Sequence, residues 1–566
     1  MLQSWHELLT NDAPDSFQAR TLDLALLLDD MAHVASVAAE DDRWRSYLGA
    51  LSTELSRQAA DEQRLLTGDH RLAVAVNSVI SKCRDSTAKA ADLHRHILVA
   101  RGVYGDPAAR LLKDGRNILV KFKREKRDLQ HRLSTLCTHI LYRGLGDESL
   151  SKIDDRLLLE SPVDVFEVLA EPIARRKDVY RCIVAVEGPQ GDIEAAVKAK
   201  GYARAGRPDF RPDAISRSWE SKHKNCYNAL VQCEAISARH AAELASERLL
   251  AVLNVHNLYL NSASLRVCPT VLIYVASQVT AVEITPSKHY GLVPRGRARE
   301  LMRNRVENLG DRLNGRLANA LRSHALALSA TDPTSAITNL WTALETLAGS
   351  LGGGAIGDRV AATLAPHIAW RRVDRIVTYL AISCHQAVHF VQSHLNLSIL
   401  SSSNAGRVGA DDVLRAVTGH VNNPAAKELM NACSDSPLLL NRLSETWTVF
   451  HDPSQLRNRL IQSRDRVQWQ LLRLYRARNL LVHKGQHSHL IWRLLQHAQY
   501  YVSLSLGKVM HDLSGNPGWD IDTSLHSQKE QFDYVCANLD QKNCSNLTHA
   551  DFLAERSVMP TRKVWS

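Results

Sequence analysis

The chain lacks the patterns that mark several large protein classes. Its ten cysteines, Cys83, Cys137, Cys182, Cys226, Cys233, Cys268, Cys384, Cys433, Cys536 and Cys544, are scattered with no close pair. No zinc-ligand spacing and no dense disulfide framework follow from them, so free thiols and no metal are expected. Nowhere do about 18 consecutive apolar residues occur, the length a membrane helix needs. The start, "MLQSWHELLTNDAPD", has no basic region followed by an apolar core, so no secretory signal is expected. The expected location is the cytoplasm, away from any membrane. A P-loop is absent, because no Gly stands at the required distance before Gly-Lys-Ser/Thr. The Gly-rich "AGSLGGGAIGDR", Ala348 to Arg359, follows a helical pattern rather than a strand. It reads as a helix-ending loop, not a dinucleotide turn, and no cofactor is expected. No internal repeat at solenoid periods is evident.

What is present is a chain of 566 residues with 45% hydrophobic content, enough to fold as two to four domains. Lys and Arg number 70 against 60 acidic residues, for a net charge of +10. That surplus suits a nucleic-acid partner without demanding one.

The fold class expected is mainly α with a small α+β middle domain. Residues 1–160 carry helical periodicity, as in "TLDLALLLDDMAHVASVAA", and form a helical N-terminal region. The basic "KFKREKRDLQHRL" reads as a solvated helix face, with an RNA-contacting face as the alternative. Residues 161–300 form the α+β domain, a candidate sensor or regulator. The segments "YRCIVAVEGP" and "VCPTVLIYVAS" are β-branched runs bounded by Gly, Pro and Ser, and "NALVQCEAISARHAAELASERLLAVLNVHNLYL" between them reads as helical. Residues 301–512 are helical again, interrupted by a serine-rich insertion near 396–412. From 513 to 566 the chain is polar and weakly periodic, a C-terminal appendage.

The chemistry concentrates in "RVQWQLLRLYRARNLLVHKG", which fits a helix ending at Gly485. Val467, Leu471, Leu474, Tyr475, Leu481 and Val482 make an apolar stripe, and Arg478 falls within it. A guanidinium cannot be buried unpaired without large cost, so a carboxylate, a phosphate or a cleft is required there. Asn479 and His483 lie one turn apart on the same face. Arg478 and His483, five apart, diverge by about 140° on an ideal helix. Metal-free RNA cleavage needs a base for the 2′-hydroxyl, an acid for the leaving oxygen and a clamp on the phosphate. Imidazole and guanidinium supply these roles.

A second helix is predicted in "TDPTSAITNLWTALETLAGS". Asp332 followed by Pro333 is a strong helix start. Ile337, Leu340, Trp341, Leu344 and Ala348 form its core stripe, and Glu345 beside the stripe is the candidate partner of Arg478.

Together, "LWTALETL" and "RLYRARNLLVHKG" resemble the HEPN superfamily, in its prokaryotic defence-associated branch with an Arg-Asn-x-x-x-His motif. The resemblance covers about residues 305–512. It implies a C-terminal HEPN helical bundle in which two protomers build one composite, metal-independent endoribonuclease site, with Arg478, Asn479 and His483 in the catalytic roles. It also implies an RNA-degrading toxin or antiviral effector of the abortive-infection type, acting as a homodimer on RNA, with an activator or antitoxin as a further partner. Some members have lost cleavage, so a catalytically inactive RNA- or protein-binding scaffold is the alternative. Helical and α+β regions ahead of the bundle, and the serine-rich insertion, depart from the minimal family pattern.

Other readings of the same residues stay open. Arg478 can pair with Glu345 in a purely structural role, with His483 closing a helix C-terminus. The basic residues Arg473, Arg476 and Lys484, and Arg457, Arg459, Arg464 and Arg466 upstream, can be a solvated face or an electrostatic track for RNA. His483, His487 and His489 are a weak metal set, since no carboxylate lies between them.

Overall fold

The computed structural model describes residues 22–62, 68–106, 177–284, 315–390, 408–418, 424–484 and 491–540, apart from short gaps, with a few isolated positions besides. The basic segment at 121–133 and most of the serine-rich stretch lie outside the described residues. The architecture is mainly helical with one small antiparallel sheet. None of the described helices is long and apolar enough to cross a membrane. The chain divides into two compact units, one from described residues within Leu22–Lys288 plus Ser329–Ala336, the other from those within His289–Leu328 and Ile337–Ser566.

The described residues of the first unit begin with the α-helices α1 (Leu24–Glu40), α2 (Arg45–Asp61), α3 (His70–Arg84) and α4 (Ala90–Tyr104). Asp23 starts α1, its carboxylate accepting from the Leu26 N–H at 2.7 Å, and Asp69 starts α3 through Leu72 at 3.1 Å. Helix α1 is buried on most of its circumference, with Leu24, Leu27, Leu28, Met31 and Ala35 fully enclosed. Such a helix needs neighbours on more than one side, and α2 and α4 both pack on it.

The sheet of this unit follows, with β1 (Asp178–Glu187), α5 (Gln190–Ala199), β2 (Ala203–Arg204), α6 (Ala214–Lys222), β3 (Tyr227–Ala235), α7 (Ala238–Leu260), β4 (Arg266–Val275) and β5 (Gln278–Glu283). The strand order is β2-β3-β1-β4-β5, with every pairing antiparallel. Central β1 is apolar on both faces, as its run of β-branched residues predicts. Cys182, Val184 and Val186 pack with α5 and α7 residues such as Val197 and Leu249. Ile183 and Ala185 pack on the other side with Trp219 of α6. One element departs from the sequence expectation. Asn228–Ala235, read as the start of a helix, belongs to strand β3, with Ala229, Val231, Cys233 and Ala235 buried on alternate positions.

The described elements of the second unit are all helices: α8 (Gly315–Ser329), α9 (Pro333–Ala348, in this unit from Ile337), α10 (Ile356–Phe390), α11 (Ala410–Thr418), α12 (Pro424–Ala432), α13 (Pro437–His451), α14 (Pro453–Lys484), α15 (Ile491–Gly515) and α16 (Ile521–Asp540). The long helices α10 and α14 pack together, and both also touch α15 and α16. Helix α9 starts where predicted. Asp332 accepts from the Ser335 N–H at 2.7 Å ahead of Pro333, and Ile337, Leu340, Trp341, Leu344 and Ala348 are all buried. Asp452 and Pro453 repeat the device at the start of α14, with the Ser454 N–H donating to Asp452 at 3.0 Å.

The C-terminal reading is corrected by α16, which is an integral helix rather than an appendage over 521–540. Phe532, Val535, Cys536 and Leu539 join the core formed by Trp370, Val377, Leu456 and Leu460. A buried polar network ties α16 to α15. The Lys508 ammonium donates to Asp512 at 2.9 Å, and Ser524 and Gln528 donate to the other Asp512 oxygen at 2.8 and 3.0 Å. The end of the expected insertion is also ordered into the bundle, since Val408 is buried and α11 begins at Ala410.

Candidate functional site

The residues singled out in the sequence sit on the last turns of α14, within the second unit. The helix is described as far as Lys484, and the expected stop at Gly485 lies outside the described residues. Its apolar stripe packs inward through Val467, Leu471, Leu474 and Leu481. Tyr475 is half-buried and is the contact point for two other helices. Its ring lies 5.1 Å from the Trp341 ring of α9. On α10, Gly357 approaches so closely that an added Cβ would stand 2.8 Å from Tyr475 Cε1. Three helices therefore converge on Tyr475, one turn before Arg478.

Arg478 is half-buried, and its Nη1 donates to the Asn479 side-chain oxygen at 2.9 Å. Its Nε is buried with no hydrogen-bond partner. Asn479 is buried, while His483, one turn further, is exposed. The structure thus joins Arg478 to Asn479 and places His483 at the solvent-facing end of the same helix. Val482, expected on the apolar stripe, is instead 51% exposed beside His483. The motif consequently ends in an uncovered apolar side chain next to an uncovered imidazole.

The expected Glu345–Arg478 ion pair is not formed. Glu345 accepts from the Trp341 indole N–H at 2.9 Å, one turn away on its own helix, and this fixes both side chains in α9. The guanidinium of Arg478 is therefore not neutralised by the partner that the sequence suggested.

Two of the expected RNA guides are also corrected. Arg473 and Arg476 are 2% and 3% exposed, enclosed in the helical unit rather than displayed as a surface track. With Gln470 and Asn479, both buried, they form a row of polar side chains spaced three residues apart along α14. All four have interaction partners, as burial of guanidinium and amide groups demands. Lys484 is half-buried at the helix end. Upstream, Arg464 pairs with its neighbour Asp465 at 2.8 Å and Arg457 faces Asp540 of α16 at 3.5 Å. His487 and His489 lie outside the described residues.

One residue was not visible to sequence reasoning. Arg359, two positions beyond Gly357 on α10, also has its Nε buried without a hydrogen-bond partner. A buried guanidinium N–H without an acceptor is costly, and an anionic ligand is one way to satisfy it. No local sequence pattern marks Arg359. The packing of Gly357 against Tyr475 shows that this stretch of α10 lies against the C-terminal half of α14.

The described cysteines are free thiols. Comparison of the chain with protein-family models, with characterised proteins and with solved structures returns no match.

Proposed function

We propose that this protein is a metal-independent endoribonuclease of the HEPN type, cleaving RNA at the end of α14 in a composite site formed by two copies of the chain. The observation that carries the reading is the state of the motif in one protomer. Arg478 is bonded to Asn479 with a buried N–H left over, while His483 and Val482 lie uncovered one turn away. A phosphate oxygen is the natural acceptor for that guanidinium. A second copy covering Val482 would bring a second His483 to the site, so that one imidazole serves as base and the other as acid.

In that arrangement one His483 takes the proton of the ribose 2′-hydroxyl, whose oxygen attacks phosphorus. Arg478 stabilises the charge gathering on the phosphate oxygens. The bond from phosphorus to the 5′-oxygen breaks as the other His483 protonates the leaving oxygen. Asn479 is a positioning residue, holding the guanidinium through its side-chain oxygen. The resemblance of the motif to the defence-associated branch supports a role as an antiviral or toxin effector in the cytoplasm, regulated by an activator or antitoxin.

The test is to incubate wild type and His483→Ala with total RNA in excess EDTA, at a concentration where sedimentation shows a dimer. Fragments from wild type alone are expected. Intact RNA with both proteins contradicts the reading. A specific observation favours a second reading, an inactive RNA- or protein-binding scaffold. Burial of Arg473 and Arg476 removes two cations from the expected RNA track. Unchanged RNA binding by His483→Ala, with no cleavage by wild type, is its signature.

A further inference from the structure

The antiparallel sheet brings together three side chains that are far apart in the chain. Glu187 ends β1 and is paired with Arg266 at the start of β4, which places Cys268 two residues further along that strand. Cys226 immediately precedes Tyr227, the residue of β3 that pairs with Val186 of β1. Three adjacent strands thus deliver Cys226, Glu187 and Cys268 to one end of the sheet. The two sulfurs are 3.9 Å apart, Cys268 Sγ lies 3.8 Å from Glu187 Oε1, and the three ligand atoms fall within 4.8 Å of one another.

The sulfur–sulfur and Cys268–Glu187 separations suit one tetrahedral ion. With Zn–S near 2.3 Å and Zn–O near 2.0–2.2 Å, tetrahedral angles put two sulfurs about 3.8 Å apart and a sulfur and an oxygen about 3.5 Å apart. The surroundings hold the thiols in place. Trp219 is buried, and its indole N–H donates to the Thr270 carbonyl at 3.2 Å, pinning α6 against β4 beside Cys268. The Cys226 N–H donates to the His223 carbonyl at 3.0 Å, which fixes the turn leading into β3. Exposure is graded, with Cys268 buried, Cys226 half-buried and Glu187 exposed, so an ion there would be reached from the Glu187 side.

We propose that Cys226, Cys268 and Glu187 bind one Zn2+ ion, with the fourth coordination position open to water or a small ligand. The combination of two thiolates and one carboxylate selects zinc over the hard cations, which prefer all-oxygen sites. Binding requires both thiols to lose their protons. Burial pushes the Cys268 thiol up, aided by the neighbouring Cys226 and the Glu187 carboxylate, and burial also raises Cys226. Loading therefore releases protons and tightens as pH rises. This site lies in the first unit, whereas the Arg478 motif lies in the second, and the proposal does not depend on the ribonuclease reading.

The test uses the full chain, purified under reducing conditions without chelator, for metal analysis, and the metal-stripped chain titrated with Co2+. Wild type is expected to carry one zinc per chain and to develop a sulfur-to-cobalt charge-transfer band. Cys226→Ser and Cys268→Ser lose the band, and Glu187→Gln weakens Co2+ binding at least about tenfold. Cys83→Ser, a half-buried thiol on α3, and His483→Ala both keep the band. Cys226 is partly open to solvent, so its serine variant carries the test if Cys268→Ser does not fold. The wild-type band needs no variant at all. A wild-type chain with no zinc and no band overturns the proposal, whether Cys226 and Cys268 titrate as free thiols or are found joined in a disulfide.

Discussion

At the end of α14, Arg478, Asn479 and His483 occupy one helix within six positions, and their mutual placement follows from helix geometry. At the end of the sheet, Cys268 meets Cys226 across 42 residues of chain and Glu187 across 81. The first arrangement is a local pattern that a helix displays wherever it folds. The second exists only because β3, β1 and β4 are neighbours in the sheet. A motif of the first kind is readable but ambiguous, since a helix can carry it for packing alone. A cluster of the second kind is invisible in the sequence but is hard to explain by local structure once seen.

Loss of activity should break the comparison most sharply. His483→Ala is expected to lower RNA cleavage by about 100- to 10,000-fold, the range for removing a general acid–base group. Because His483 is exposed, the melting temperature should not move. A parallel fall in both would place His483 in the packing and return the motif to a structural role.

The next effects concern the packing of α14 against its neighbours, at its start through Leu456 and Leu460 and nearer Arg478 through Tyr475. Phe532→Ala on α16 removes a buried ring packed edge-on to Trp370 at 6.1 Å. It should cost about 3–5 kcal/mol in thermal or urea unfolding. A cost near zero would mean that α16 is dispensable, as an appendage would be. Gly357→Ala should destabilise by about 1–3 kcal/mol, because the new methyl meets the Tyr475 ring held against Trp341. Cleavage should fall with it, since Tyr475 carries the turn before Arg478. A neutral result would show that the three-helix junction gives way easily.

The smallest effect compares the two units through pH. Burial lowers the titration of His240 in the first unit, with the nearby Lys177 adding to it, and burial lowers that of His324 in the second. Below about pH 6.5 the unfolded chain binds protons that the folded chain resists, so stability holds above that pH and declines as pH falls through it. His240→Gln and His324→Gln should each flatten this decline, read as the urea midpoint between about pH 7.5 and 5. An unchanged slope in both variants would assign the decline to other groups.

The sequence made the helices within 24–104 and 315–515, the strands β1 and β4, and the helix start at Asp332 legible, because periodicity and capping are local. It misjudged β3, where Ala, Leu, Gln and Glu are good helix formers and the alternation of buried Ala229, Val231 and Cys233 is the better signal. It missed α16 because Ser524 and Gln528 interrupt an otherwise helical stripe of Ile521, Leu525, Phe532, Val535 and Leu539. Those two polar residues are buried because Asp512 accepts from both. Arg473 and Arg476 defeat the rule that charge marks the surface, and Glu345 is held by the Trp341 indole one turn away on its own helix rather than by Arg478. In the candidate site the sequence therefore located Arg478, Asn479 and His483, while partners, burial and Arg359 depended on packing.

The most direct measurement of the central claim is the chemistry of the RNA ends left by wild-type protein in excess EDTA. Attack by the 2′-hydroxyl predicts 2′,3′-cyclic phosphates on one fragment and free 5′-hydroxyls on the other. Ends bearing a 5′-phosphate, or cleavage that stops when EDTA is added, would contradict the account.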